Sequence, residues 1–379
     1  MGSDTSGNSS NTVPLLDANL IYESASRSIL SCSFKYKAQL FEMNRLLRTA
    51  EIQRDLANRS YRPQKGFSFT IRERGKTRKI TSDTMIDKTV NHLICDHSLS
   101  PELDRFVSFD NMASQKGKGT DKYRSRLKAH LQQYYREQKT HKGYILLIDF
   151  SKYYDRINHE KAKKQLMALL KKTNSPNLEL NEFIFDETFK IFASEGINIG
   201  NQISQNIGVL YSMEIDNLIK IKYGFKYWGR YMDDSYVISN SKERLEELLE
   251  AIKVKAKEWD IVINEKKTRI QRLDIPFKHL QLKYYFSETG KIRVSVSPAA
   301  ITRERRKLKA YKRFLDSGKM PIKDIEDSFK SWFNSRWRIL SPRQIKHITG
   351  LYKELFGELP QKWYLPSRAR YYVFKGKTD

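Results

Sequence analysis

The spacing of apolar and polar positions changes several times along the chain, and each change marks an element. From 16 to about 58 apolar residues recur at helical spacing, and Leu40, Met43, Leu46 and Leu47 read as one buried face. Phe67-Ser68-Phe69-Thr70-Ile71 alternates as a strand does. It runs into Arg72-Glu73-Arg74-Gly75-Lys76-Thr77-Arg78-Lys79-Ile80, where Gly75 marks a turn, so a hairpin is predicted with Arg72, Arg74, Lys76, Arg78 and Lys79 around its tip. A helix is predicted over 85–99, with Ile86, Val90, Leu93 and Ile94 inward. Tyr144-Ile145-Leu146-Leu147-Ile148 is a continuous apolar run, the pattern of a fully buried strand, and it ends at Asp149.

A helix over 159–171 leads to the glycine-bearing segment 196–205. An apolar helical stretch with Val209, Met213, Leu218 and Ile219 follows it. Phe225-Lys226-Tyr227-Trp228 and Ser235-Tyr236-Val237-Ile238 then flank Tyr231-Met232-Asp233-Asp234, which predicts a β-hairpin with two aspartates at its tip. Asn240 with Glu243 has the spacing of a capping box, opening a helix with Leu245, Leu248, Leu249 and Ile252 on one face. Ile261-Val262-Ile263 reads as a strand, and 277–286 with 291–296 as a hairpin turning at Thr289-Gly290. The remainder is helical and basic.

Charge narrows what such a chain meets. The 379 residues carry a formal net charge of +26, and 12% are aromatic. That field attracts a polyanion, nucleic acid first, and rings are surfaces on which bases stack. No apolar run approaches the roughly 18 residues of a membrane helix. Cys32 and Cys95 have no zinc-type spacing, which suits a reduced, cytoplasmic setting.

The chemistry concentrates at the acids. A charged Asp149 ending a buried strand needs a partner, and two side-by-side carboxylates at a turn need a cation to offset their repulsion. A hard divalent ion bound by oxygen ligands meets both needs. The two sites lie 84 residues apart (233 minus 149), so only the fold can join them. Two basic stretches suit a phosphate backbone: the loop Ser114-Gln115-Lys116-Gly117-Lys118-Gly119-Thr120, and the run 303–313 with Arg303, Arg306 and Lys307, near which Trp332 adds aromatic surface.

A strand ending in Asp, a glycine-bearing junction and an Asp-Asp hairpin, in this order, resemble the palm of a reverse transcriptase. Asp149-Phe150-Ser151-Lys152-Tyr153-Tyr154 looks like the first catalytic motif, Tyr231-Met232-Asp233-Asp234 like the family's best-known tetrapeptide, and Asn264-Glu265-Lys266-Lys267-Thr268 like its lysine-bearing motif. The resemblance implies an α+β right-hand polymerase fold. An N-terminal extension, partly disordered, would occupy 1–39, fingers 40–143, a palm with an antiparallel sheet 144–290, and a helical thumb and C-terminal segment 291–379.

It further implies RNA-directed DNA synthesis by two Mg²⁺ ions, with Mn²⁺ as an alternative. Asp149, Asp233, Asp234 and the Phe150 backbone carbonyl would hold them. Arg72, Lys76, Arg78, Tyr154, Gly200 and Gln205 would meet the nucleotide, Tyr154 as a sugar gate, and either Lys266 or Lys267 the pyrophosphate. Partners would be a structured template RNA, a DNA or RNA primer, dNTPs, and a small basic accessory protein or a defence partner. No membrane is expected.

Two departures point to a branch. Ile199-Gly200 with Ser204-Gln205 stands where many relatives have Gln-Gly and Ser-Pro, a form resembling prokaryotic diversity-generating retroelements and phage-defence enzymes. His279-Leu280-Gln281 replaces the usual Phe-Leu-Gly of the primer grip. A non-catalytic RNA-binding chain is the alternative from another class, and the three intact carboxylates oppose it.

Overall fold

The structure, a computed structural model, describes residues 14–30, 32–73, 76–173, 175, 177–193, 195–361, 363 and 373. The side chains of Glu73 and Lys76 lie outside what is described. Residues 1–13, within the N-terminal extension expected to be partly disordered, lie outside it too. Two compact units emerge: Met1–His130 with Ile145–Ile270, and Leu131–Tyr144 with Gln271–Asp379.

The first unit opens with α1 (Ala18–Ile29), α2 (Tyr36–Met43) and α3 (Arg45–Ala57). The Asp17 carboxylate accepts from the amides of Asn19 and Leu20 and so caps α1. Helix was expected here, but the inward face is a different one. Ala38, Phe41, Thr49, Ile52 and Leu56 are buried, whereas Leu40, Met43, Leu46 and Leu47 stand outside, Met43 84% exposed. The cause is local: Asn44 leaves helical geometry between α2 and α3. A stripe counted across that break does not stay on one face.

The strands β1 (Phe67–Glu73) and β2 (Lys76–Ser82) pair antiparallel from Phe67↔Ser82 to Glu73↔Lys76, as the alternation predicts. Then come α4 (Met85–Ile94), a π-helical turn at Cys95–Leu99, α5 (Ser100–Phe106) and α6 (Thr120–Gln138). Val90, Leu93 and Ile94 are fully buried; Ile86 packs more loosely against Ala25, Ile29 and Phe41.

The strand β3 (Tyr144–Asp149) lies inside a four-stranded sheet of order β4-β5-β3-β6, with β4 (Tyr227–Tyr231), β5 (Asp234–Ser239) and β6 (Arg269–Arg272). Helices α7 (His159–Lys172), α8 (Leu178–Lys190), α9 (Gln202–Tyr211) and α10 (Met213–Asn217) lie between β3 and β4 in the chain, and α11 (Lys242–Glu258) follows β5. The single apolar helix expected after residue 205 is interrupted at Ser212. The cap of α11 is Ser241, whose Oγ accepts from the Arg244 amide, and not Asn240. Residues 261–263 form no strand of their own; one bridge, Phe150↔Ile263, ties them to the end of β3.

The second unit holds a three-stranded sheet, β7 (Phe277–His279), β8 (Leu282–Phe286) and β9 (Ile292–Val296), in that order. The expected first strand is thus two, because the chain reverses at Leu280 (φ 41) and Gln281 (φ 68), both left-handed. Helices α12 (Pro298–Asp316), α13 (Ile322–Asn334) and α14 (Pro342–Phe356) follow. Phe329 stacks on Tyr352 with centroids 4.4 Å apart, and Phe333 meets Trp363 edge-on at 4.9 Å. Among the described residues no helix is long and apolar enough to cross a membrane.

Candidate active site

The run Ile145–Ile148 is buried, and it delivers Asp149 to the end of its strand. There the residues after α11 enclose the acid. The Asn264 amide N–H donates to the Asp149 carbonyl at 2.8 Å, and Asn264 Nδ2 donates to Oδ1 at 2.8 Å. Lys267 Nζ donates to Oδ2 at 2.6 Å, while the Asp149 amide donates to Thr268 Oγ1. Lys267, not Lys266, therefore meets the acid.

The other two acids sit at the tight turn between β4 and β5, whose last pair is Tyr231↔Asp234. Met232 has φ 54, and Asp233 stays outside the left-handed region. That pattern is a type II′ turn, whose first position ordinarily takes glycine. The Asp233 carbonyl accepts from the Phe150 amide at 3.2 Å, which joins the turn to the end of β3. Ser151 and Asn264 make the hydrogen bonds of the Phe150↔Ile263 bridge. The polar groups of Phe150 thus face the other way, toward the turn.

Burial pushes the Asp233 carboxyl up, and Asp149 adds to the effect. Asp234 is pushed up to about 7 by burial, then by the charges of Asp233 and Asp149. Burial works against the Lys267 ammonium, but its hydrogen bond to Asp149 and the three carboxylates outweigh it and raise its pKa. The site is a group of oxygen donors short of positive charge, with one lysine already leaning on it. That donor set fits a hard divalent ion. As they stand, no three His, Cys, Asp or Glu side chains among the described residues are drawn together into a finished metal site. The reason is visible at Asp149, whose oxygens are turned to Asn264 and Lys267.

Tyr154, in the short 3-10 turn after β3, points its hydroxyl at Met232 Sδ, 3.4 Å away. It lies so close to α9 that a Cβ at Gly208 would come 2.7 Å from that hydroxyl oxygen, so any larger residue there would push the Tyr154 ring aside. Just before α9, Gly200 has φ +129 and packs under the β1–β2 hairpin, where a Cβ would come 2.8 Å from the Thr81 carbonyl oxygen. The Thr81 amide donates to Ile199 there.

Gln205 is exposed and meets Ser114 Oγ at 3.3 Å. Arg72 and Arg78 are exposed, and the Arg78 charge is felt at Asp233. The Lys76 side chain lies outside the described ones. A cavity of ≈ 1410 Å³ opens between α1, α2, the hairpin and Gly200–Gln205, lined by Lys35, Lys37, Lys65 and Lys88 with Phe67 and Phe69. The three aspartates are outside its lining.

The basic stretches divide. Lys116 is exposed, but Lys118 uses its donors internally, on the carbonyls of Phe109 and Asn111 and on Gln115 Oε1. In this arrangement Lys118 holds the loop's shape. In the second unit Arg303 and Arg306 are exposed, Lys307 is 3.1 Å from buried Glu304, and Trp332 carries Arg336 over its ring. A cleft of ≈ 780 Å³ there is lined by Arg305 and Lys309 of the basic run 303–313 and by Arg343, Lys346 and His347, which lie beyond it.

Three residues at the site were also passed over. Asn264 and Thr268 sat inside a motif read only for its lysines. Arg230 is a charge within the strand β4, all but sealed from solvent.

The antiparallel sheet, the hairpin of aspartates and the basic β1–β2 hairpin fit a right-hand nucleic-acid polymerase. Residues 63–293, well over half of the chain, match the family model for reverse transcriptase (RNA-dependent DNA polymerase), and the chain belongs to that family. No curated protein matches it. Among solved structures it is similar to apo telomerase from Candida tropicalis truncated from its C-terminal domain, with TM-score 0.47 and 14% identity over 60% of this chain and 54% of that one. It is similar also to apo telomerase from Candida tropicalis, with TM-score 0.48 and 14% identity over 77% and 61%. A third is telomerase from Candida albicans in complex with a TWJ fragment of telomeric RNA, with TM-score 0.47 and 11% identity over 86% and 66%. The chain spans between about half and two thirds of the length of these structures.

Proposed function

We propose that this chain is an RNA-directed DNA polymerase that copies a dedicated RNA template, with Asp149, Asp233 and Asp234 as its metal ligands. The observation that carries the reading is the meeting of the strand end at Asp149 with the turn at Asp233, joined by the Phe150 amide and faced by Lys267. Bound there, two Mg²⁺ ions would activate a primer 3′-hydroxyl and stabilise the leaving pyrophosphate. Lys267, held protonated, is placed to give a proton or a charge-assisted hydrogen bond to a pyrophosphate oxygen. Tyr154, fixed between Gly208 and Met232, presents a ring that a ribose 2′-hydroxyl would strike. Arg78 and Arg72 offer charge to a triphosphate, and the lysine-lined cavity offers a path to an unpaired template.

The Ile199-Gly200…Ser204-Gln205 form supports a place among prokaryotic retroelement or phage-defence enzymes. Their products differ, and sequencing would separate them. The test is dNTP incorporation by the purified protein with its co-expressed RNA, against Asp233→Asn/Asp234→Asn. DNA complementary to the bound RNA, reduced about 10³-fold or more in the variant, is expected. Equal synthesis by the variant would sink the assignment. In the same assay Tyr154→Ala should admit ribonucleotides, and unchanged sugar selectivity would remove its role as gate.

A further inference from the structure

The turn that carries Asp233 and Asp234 is held from behind by one buried side chain. Arg230 lies on β4, three residues before Asp233 and 1% exposed. Its Nε and Nη2 grip the Asp216 carboxylate of α10 at 2.8 Å each. The other donors go elsewhere. Nη1 donates to the Met232 carbonyl at 3.1 Å, and Nη2 also donates to the Val209 carbonyl of α9 at 2.7 Å. Burial works against the guanidinium charge, and Asp216 more than offsets it, so the group stays charged. Nη1 is thus a charge-assisted donor aimed at the carbonyl of the residue whose backbone is strained.

Met232 is left-handed without being glycine, a conformation that persists only where the surroundings over-determine it. Its carbonyl is met by Arg230, and the carbonyl of Asp233 by Phe150. The same guanidinium touches α9 one residue beyond Gly208, on which the Tyr154 ring rests. One planar fork therefore ties the aspartate turn to the helix that carries the glycine junction. A lysine has the charge but not the fixed fork, and cannot reach three acceptors in one geometry.

We propose that Arg230, clamped by Asp216, is a positioning residue: it locks the Met232 carbonyl and so sets where Asp233 and Asp234 present their oxygens. This rests on the reading of those aspartates as metal ligands. Arg230→Lys keeps a charge against Asp216 and loses the hold on the turn. If it does not fold, Arg230→Met/Asp216→Leu removes the whole pair with apolar replacements, which buried pairs often tolerate.

The experiment measures Mn²⁺ binding to the nucleic-acid-free protein by electron paramagnetic resonance, beside a thermal melt and steady-state dNTP incorporation. The folded variant should bind Mn²⁺ about 10-fold or more weaker, the scale on which outer partners of metal ligands act. Its kcat should fall while KM for template holds. Adding Met232→Gly, which relieves the left-handed strain, should restore part of the Mn²⁺ affinity. A folded Arg230 variant with wild-type Mn²⁺ affinity, or no recovery with Met232→Gly, overturns the inference. Asp233→Asn/Asp234→Asn separates the two readings. If it binds Mn²⁺ as the wild type does, the metal reading itself fails; if it alone loses Mn²⁺, only the role of Arg230 does.

Discussion

Two ion pairs a short way apart in the first unit are chemically alike and do opposite things. Arg230 and Asp216 meet at 2.8 Å, Lys267 and Asp149 at 2.6 Å. Both partners of the first are 1% exposed, and each has further hydrogen bonds, so charge and hydrogen-bonding capacity are met inside the protein. In the second, the lysine is 53% exposed and serves three carboxylates, and the charge of Asp149 helps to raise the pKa of both Asp233 and Asp234. A buried pair that is complete acts as a fastener, and its loss leaves a stranded charge. A half-open group with surplus negative charge is poised for an incoming cation. Completeness, not distance, separates structure from chemistry here.

The largest stability effect should therefore fall on the complete pair. Asp216→Ala leaves the Arg230 guanidinium buried without its carboxylate, and about 3–5 kcal/mol of unfolding free energy should go. Asp149→Asn removes one of three mutually repelling acids and should change stability far less, while abolishing nucleotide incorporation. Urea unfolding of both, without divalent ions, checks the contrast. Equal losses would show that Asp149 is as structural as Asp216.

A third charged cluster sharpens the point through pH. Behind β4 and β5, Asp110 is held by Arg126 at 2.6 Å and Lys220 at 2.9 Å, and His130 lies against it. His130 Nδ1 is 2.9 Å from the Tyr236 hydroxyl, and the Tyr227 ring lies edge-on to it. Burial pushes His130 down to about 4, Arg126 and Lys220 adding to it and Asp110 opposing. Between pH 6.5 and 4 the unfolded chain takes up a proton that the folded chain refuses. This contribution is thus whole above pH 6.5 and lost as pH falls toward 4, by about 3 kcal/mol. His130→Gln, which does not titrate, should show a shallower loss over that window. An unchanged acid slope would mean that His130 ionises freely in the fold.

What could be foreseen in the sequence follows the range of the interaction that decides each feature. The Asp233–Asp234 hairpin and the strand ending at Asp149 were legible because alternation and an unbroken apolar run are local signals. The pairing of Phe67–Glu73 with Lys76–Ser82 in a basic hairpin was legible for the same reason. Leu40, Met43, Leu46 and Leu47 misled because one residue, Asn44, resets the helical phase. Ser241 took the cap expected of Asn240 within a single step of the chain, the least certain part of any helix. Arg230 was illegible for a different reason. A charge in a strand declares itself only once its partner is known, and the fold brings Asp216 of α10 within 2.8 Å of it. Lys118 is the mirror case, a basic residue in a glycine-spaced loop whose donors turn inward.

The smallest expected effect on stability tests the incomplete pair most directly. Lys267→Met removes a half-exposed ammonium, and such pairs contribute about 0–1 kcal/mol. The melting temperature without divalent ions should therefore barely move, in contrast to the Asp216 variant. The carboxylates are then left with less positive charge than before, so Mg²⁺ should raise the melting temperature of Lys267→Met more than that of the wild type. Nucleotide incorporation should fall, because the group placed to give a proton toward pyrophosphate is gone. Had Lys267 been a fastener like Arg230, its loss would unfold the site and Mg²⁺ would restore little. A strongly destabilised variant with no gain from Mg²⁺ would erase the distinction between the two pairs. A stable one with a larger Mg²⁺ response would mean that the lysine holds the place a metal ion completes.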